Sequence, residues 1–525
     1  MKKIYIITVL VLAFLTSCSK DSLKLENPNE PSTETLKNEE VFEKFAIGVY
    51  NPMREFELGE SDISYPWIVL TNHNLMGDVT VTHAGNFGWR YTNQVASIVL
   101  PSGEIITAPE GGGSQSDMLN TLNSREKGDL NVMAQEWVAM YGLIGHCNYA
   151  LQHLNADDVS FSGTDAQVAV KKKTYKVWFL WWKGFAYSRI GSLYSKAVIT
   201  DEYGKLQTNY QDHTAIIAEA NKIFKEAKDI LATITSAADI GVHNSLMKTF
   251  VPAHFQVGNG GVVTPEMFVR NINSYMARNL LVNKYADELT TTELNEIKTL
   301  AEAGIKEGDK IFTIRSADSD CFVATTGWSP YRMLVGWENI SERLIQDFKT
   351  GDNRLSRNFT KLDAKDAVFN PSGRGLTYGT TYEVNDGSDY ASTTAGQVEL
   401  PFACTYEENQ LMLAEVKIRS NDIQGGLAHI DAVRNYQKAQ LAAVANTGLN
   451  QTQALEELRS ERRVGLFLKG TSFYDARRWK VLKNGRTNAN VLVKANGTVE
   501  PCTINYGYKE WFDVPANETD FNPIK

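Results

Sequence analysis

The chain has few cysteines, no basic tract and, beyond its first fifteen residues, no long apolar run. Its five cysteines form no Cys-x-x-Cys pair, which removes zinc-ribbon and thioredoxin-like chemistry. With a formal charge of -9 and no cluster of Lys and Arg, it is poorly suited to a phosphate backbone, so no nucleic-acid partner is expected. Gly-x-Ser-x-Gly, His-Glu-x-x-His and the phosphate-loop motif are all missing, and Gly111-Gly112-Gly113 lacks the lysine that such a loop needs. Neither catalytic residues nor a cofactor nor a metal is therefore expected. Paired carboxylates for glycoside cleavage stay open, because 62 acidic residues always offer pairs. His146 and His153 could share a helix face but have no third ligand, and read as core or surface histidines. Asn385, Asp386 and Asp389 could meet Ca²⁺, yet their loop lacks EF-hand spacing.

What is present begins with Lys2 and Lys3, an apolar stretch over residues 4–15, and Leu15-Thr16-Ser17-Cys18. Charge, apolar run and small residues in that order make a secretory signal. The stretch is too short for a membrane span, which takes roughly 20 apolar residues. Residues 1–17 are thus expected to be a signal peptide, and Cys18 the residue that receives lipid and becomes the mature N-terminus. Removing Lys2 and Lys3 takes the formal charge from -9 to -11. Residues 18–38 are polar, carry Pro28 and Pro31, and suit a flexible tether. Several acyl chains on Cys18 would hold the protein on a membrane that it does not cross. The remaining Cys147, Cys321, Cys404 and Cys502 could pair in any of three ways along an oxidising route. Cys147 lies on an apolar helical face and reads as a buried thiol.

Apolar residues recur at helical spacing in several places. Val41, Phe45, Val49 and Met53 step by fours; Trp137, Met140, Tyr141, Ile144, Cys147 and Leu151 form a second stripe. Tyr175, Trp178, Trp182, Phe185, Arg189 and Leu193 form a third, whose aromatics read as core. Further helices are predicted through Ile216 to Ile230, Tyr275 to Tyr285, Leu294 to Ile305, Gln410 to Ile418 and Ala428 to Gln437, with Gly425-Gly426 as the stop between the last two. Residues 64–116 are dense in Gly, Thr, Asn and Ser and read as loops and short strands. The expected fold is mostly α: an irregular tetratricopeptide-like helical array with long loops and a few short strands. One unit would span 39–525, helical over about 39–55, 130–235 and 404–480 and loop-rich over about 60–125 and 250–400.

Near the C-terminus stands Glu457-Leu458-Arg459-Ser460-Glu461-Arg462-Arg463-Val464-Gly465-Leu466, then Gly470 and Phe473-Tyr474-Asp475-Ala476-Arg477-Arg478-Trp479. By residue type alone, Glu456, Glu457 and Glu461 interleaved with Arg459, Arg462 and Arg463 make a helix face of exposed ion pairs, each contributing about a few tenths of a kcal/mol. Asp475 with Arg477 or Arg478, and Trp479, would lock the next turn into the core. Together with the lipidation signal, Gly48-Val49-Tyr50-Asn51, the stretch Trp137 to Ile144 followed by Asn148, Tyr187 with Gly191, and the ending Val514-Pro515 through Asn522-Pro523, these residues resemble the SusD/RagB family of outer-membrane nutrient-binding lipoproteins. Leu468-Lys469-Gly470-Thr471 departs from the acidic residue that commonly precedes that glycine.

The resemblance implies a surface lipoprotein of the outer membrane that captures a nutrient, most often an oligosaccharide, and delivers it to a SusC-like TonB-dependent transporter. A sugar site needs aromatic faces beside amide or charged groups. Two loop clusters have that composition: Asn86, Trp89, Arg90 and Tyr91 around Gly85 and Gly88, and Trp328 with Tyr331 around Gly327 and Pro330. Trp67 and Trp337 have apolar neighbours and suggest burial. A helical scaffold that binds a peptide or protein, and a surface glycosidase, are the alternative readings.

Overall fold

The first helix, α1 (Glu39–Ile47), starts where Asn38 turns its side-chain oxygen onto the amides of Glu40 and Val41 at 2.9 and 3.4 Å. The computed structural model describes residues 35–54, 56–108, 113–315, 338–369, 376, 378–392, 394, 396–482, 485–494 and 497–524. Cys18, Cys321, Trp328, Tyr331 and Trp337 lie outside them. The stripe expected through Val41 and Phe45 is displaced by one residue, since Phe42 and Ala46 are the buried pair. The helix tightens into a 3-10 turn at Gly48–Tyr50, and the shorter period brings Val49 and Met53 back to the core.

Helix α2 (Leu70–Met76) lies inside the stretch read as loops and strands, and every one of its residues is buried. Its run Thr71-Asn72-His73-Asn74 has no apolar period, so hydrophobic spacing could not reveal it. Burial is tolerated because each of these side chains makes at least one hydrogen bond, although His73 Nδ1 and Asn74 Oδ1 have no partner among the described residues. Asn72 donates to Gln135 at 2.8 Å, His73 meets Glu136 at 2.6 Å, and Asn74 donates to Glu338 at 3.0 Å.

The long helices follow: α3 (Val132–Ala156), α4 (Asp165–Leu193), α5 (His213–Leu231), α6 (Ala237–Phe250), α7 (Pro265–Val282) and α8 (Thr291–Glu302). Then come α9 (Tyr406–Arg419), α10 (Ile423–Tyr436), α11 (Gln451–Gly465) and α12 (Ser472–Arg478). Thr164 with Gln167, Thr290 with Glu293 and Asn450 with Gln453 form capping boxes that start α4, α8 and α11. Successive helices pack on one another, α4 between α3 and α5, and α9 among α8, α10 and α11, which gives the irregular helical array. The tryptophans of α4 are core: Trp178, Trp181 and Trp182 are fully buried, and the first two donate to Ala46 O and Asn271 Oδ1. Cys147 is buried and free, as are Cys404 and Cys502.

Gly425-Gly426 is not a stop between α9 and α10. Asp422 caps α10 through the Gly425 amide, and the glycines form its first turn. A Cβ on Gly426 would sit 2.5 Å from Ile418 Cγ1 and 2.7 Å from Ala414 O, so this glycine permits the close approach of the two helices.

The strands are short. β1 (Thr80–Val81), β2 (Ser97–Val99), β3 (Ile105–Thr107), β4 (Thr313–Arg315), β5 (Asn339–Ile340), β6 (Glu399–Pro401), β7 (Arg486–Val491) and β8 (Glu500–Asn505) form antiparallel pairs. β7, β8, β2 and β3 make a four-stranded sheet, β4 pairs with β6, and β1 with β5.

The charged residues of α11 correct the expectation of an exposed ion-pair face. Glu461, Arg462 and Arg463 are buried, and their partners lie on other elements. Arg463 reaches Asp347 at 2.6 Å and the carbonyls of Gly77 and Asp78; Glu461 receives Arg434 and Arg354; Arg462 meets Asp475. Glu456 and Arg459 pair along the helix as expected, but Arg459 is half-buried and also reaches Asp347 at 3.0 Å. Spacing within a helix identifies neighbours on its surface but not the partner that another helix brings. Arg478 pairs with Asp475 as one of the two expected choices, whereas Arg477 donates to the carbonyls of Ser192, Val282 and Glu510, covering the open C-terminal ends of α4 and α7.

Candidate functional site at the Asn86–Thr92 turn

The turn following β1 is built on α2 and α3. Gln135 of α3 accepts from Asn72 and donates to the carbonyls of Phe87 and Asp129 at 3.1 and 2.8 Å, which fixes the turn from below. Phe87 and Gly88 both take positive φ, 56° and 73°. At Gly88 a side chain is excluded, since a Cβ would lie 2.6 Å from Val132 Cγ2 and 2.8 Å from Leu130 O. That reversal starts the short helix Trp89–Thr92.

The four predicted residues of this cluster separate into two groups. Trp89 is fully buried, its indole N–H donates to Ile68 O at 3.2 Å, and its ring packs edge-on against Trp67 at 5.9 Å and Phe87 at 5.4 Å. It therefore offers no open face to a ligand, contrary to expectation: its ring fills the space between the turn and α2. Trp67, expected to be buried, is partly so. Asn86 is exposed and Arg90 and Tyr91 are half-buried. The Arg90 guanidinium lies over the Tyr91 ring, 4.4 Å from its centre, and also meets its hydroxyl. Arg90 Nε is buried without a hydrogen-bond partner among the described residues.

Beneath the turn, Glu136 joins Arg189 at 2.7 Å and His73 at 2.6 Å, all three buried. Burial would raise the Glu136 carboxyl, but Arg189 and His73 outweigh it and hold the group down at about 2. Burial lowers His73. These charges support the turn without facing solvent.

The second predicted cluster, with Trp328 and Tyr331, lies outside the described residues, which resume at Glu338 before the β1–β5 ladder. Thr80 stands opposite Ile340, and Glu338 accepts hydrogen bonds from Thr71, Asn74 and Thr80. The polar cleft lined by Arg315, Arg357 and Tyr436 has no counterpart in the sequence reading, because its residues come from separate segments and form no motif.

The calcium reading of Asp389 is opposed by its partners, since Oδ2 accepts from Arg357 at 2.7 Å and from Asn358. His146 lies flat on Phe45 at 3.9 Å and His153 pairs with Asp158, so both are committed to packing.

Residues 339–524 match the SusD family. In fold, the chain is similar to a SusD-like carbohydrate-binding protein from Bacteroides fragilis, with TM-score 0.58 and 14% identity over 93% of this chain and 99% of that one. It is also similar to SusD superfamily proteins from Parabacteroides distasonis (TM-score 0.57, 15% identity, 92% and 97% covered) and Bacteroides vulgatus (0.55, 14%, 92% and 97%). No curated protein matches by sequence. The last third of the chain is thus similar in sequence to the SusD family, and over 92% of its length its fold is similar to that of a SusD superfamily protein.

Proposed function

We propose that this chain is a cell-surface lipoprotein, anchored in the outer membrane through Cys18, that binds an oligosaccharide without cleaving it and passes it to a SusC-like TonB-dependent transporter. The observation that carries this reading is the SusD family match over 339–524 on a fold shared with a carbohydrate-binding relative. Among the described residues no helix is long and apolar enough to cross a membrane, which agrees with a lipid anchor as the means of attachment. The proposed contact surface is Asn86, Arg90 and Tyr91, with Trp328 and Tyr331 as candidates in the second cluster. An amide, a cation and a phenol ring side by side are the groups that meet sugar hydroxyls and C–H faces.

Affinity electrophoresis of the protein against a panel of polysaccharides and peptides tests the reading. Retardation by a glycan without release of product is expected, and weaker retardation in Tyr91→Ala and in Trp328→Ala. Retardation by peptides alone would replace it with the scaffold reading, and product accumulating with time would replace it with hydrolysis.

A further inference from the structure

A cleft of about 490 Å³ opens between the β4–β6 ladder and the C-terminal end of α10, and none of its lining residues belongs to the Asn86 turn. Its volume falls within the range of about 300–1,000 Å³ typical of small-ligand sites. Its lining is polar, and two of its cations, Arg315 and Lys469, are loosely held. Arg315 is 8% exposed, donates to the carbonyls of Gly396 and Gln397, and approaches Glu399 only to 3.6 Å. Its Nε is buried with no hydrogen-bond partner among the described residues. Lys469 stands 3.3 Å from Glu407. Charge-assisted bonds that are fully formed run at about 2.7–2.9 Å, so both contacts leave capacity for a further acceptor. Arg357 donates to Asp389 Oδ2 at 3.0 and 2.7 Å and to Gln437 O at 3.1 Å, while its other terminal nitrogen makes no hydrogen bond among the described residues. Lys438 is exposed, makes no ion pair among the described residues, and is set at the cleft by a left-handed turn, φ 54°, directly after α10.

The remaining ingredients suit a sugar. Tyr436 stands half-buried in the cleft wall with Tyr406 packed against it at 4.9 Å, and Gln397 supplies an amide for hydroxyl groups, whereas the amides of Asn259 and Gln437 are engaged by Glu399, Tyr436, Arg354, Glu407 and the Gly465 carbonyl. With Arg354 taken up by Asp352 and Glu461, the lining cations Arg315, Arg357, Lys438 and Lys469 exceed the carboxylates Asp389, Glu399 and Glu407 by one, and in a chain of formal charge -9 this excess favours a ligand that carries carboxylates.

We propose that this cleft is a second binding station, specific for acidic oligosaccharides, in which Arg315, Arg357 and Lys438 receive the acidic groups and Tyr436 packs against a ring. The proposal rests on the oligosaccharide-binding reading above and adds to it a site and a charge preference.

Titration calorimetry of the full chain with oligogalacturonate, hyaluronan and heparin oligosaccharides tests it, with fully methyl-esterified oligogalacturonate as the uncharged control. At least one acidic member should bind and the ester should not. Lys438→Glu and Arg357→Gln should each weaken acidic binding about tenfold, while thermal unfolding of Lys438→Glu, an exposed position, stays unchanged. Absence of binding by every acidic member, equal binding of the ester, or unchanged affinity in both variants would overturn the proposal. Acidic binding lost in Tyr91→Ala but kept in Lys438→Glu would place the ligand at the first site instead. Neutral glycans that bind and respond to Tyr91→Ala would leave the general reading standing when this one falls; if no glycan binds at all, both fall.

Discussion

Arg478 donates from both terminal nitrogens to the carboxylate of Glu415, at 2.7 and 2.5 Å, and neither side chain is exposed to solvent. Removing one partner strands a buried charge, which costs about 3–5 kcal/mol. Arg478→Met should therefore lower the denaturant midpoint steeply. Arg478→Met combined with Glu415→Leu removes both charges and should recover part of the loss; a double variant no better than the worse single one would contradict this account.

Acid should destabilise the fold in two stages. Burial holds His146, His243 and His429 at about 4, below the reference of 6.5, so the unfolded chain takes up protons first. Their effect is absent above pH 6.5 and grows as pH falls toward 4. Glu136 and Glu415 sit at about 2 against a reference of 4.5, because burial is outweighed by Arg189 and His73 in one case and by Arg478 in the other. Their contribution is complete above pH 4.5 and is lost as pH falls toward 2. Melting temperatures measured from pH 7.5 down to 3 should decline already below pH 6.5, and His146→Gln should flatten the upper part of that decline.

Gly426→Ala should destabilise although alanine favours helix by about 1 kcal/mol over glycine. The added methyl would meet Ile418 and the Ala414 carbonyl at the distances given above, and overpacking of this kind costs about 1–3 kcal/mol. Chemical denaturation decides it: a variant as stable as the parent would show that α10 can slide away from α9.

Trp89→Ala and Tyr91→Ala should fail in different ways. Truncating the fully buried indole should cost about 3–5 kcal/mol of stability. Losing the half-buried Tyr91 should leave the melting temperature nearly unchanged and weaken glycan retardation. The reverse outcome would show that the indole contacts ligand.

Where apolar residues repeat, the sequence located the helices well: the predicted helix through Ile216 to Ile230 is α5, and that through Leu294 to Ile305 is α8 with its ends shifted. Hydrophobic period could not show α2, whose polar side chains are satisfied by residues on α3 and at Glu338. Nor could it show that Trp89 faces inward, since composition alone does not distinguish an aromatic that supports a turn from one that presents its face. The Arg357–Lys438 cleft was invisible for a related reason: contacts between distant segments create it.

The position of Asp78 has a consequence for how the chain matures. Its buried carboxylate is satisfied by Arg343, 265 positions later, and by the hydroxyl of Tyr506, 428 positions later. The first hundred residues thus cannot reach their final state until almost the whole polypeptide is available. Contacts of such separation slow folding and favour a chain that stays open during synthesis. Under the export proposed above, such late closure would keep the chain open during passage through a membrane channel and defer the native state to the far side.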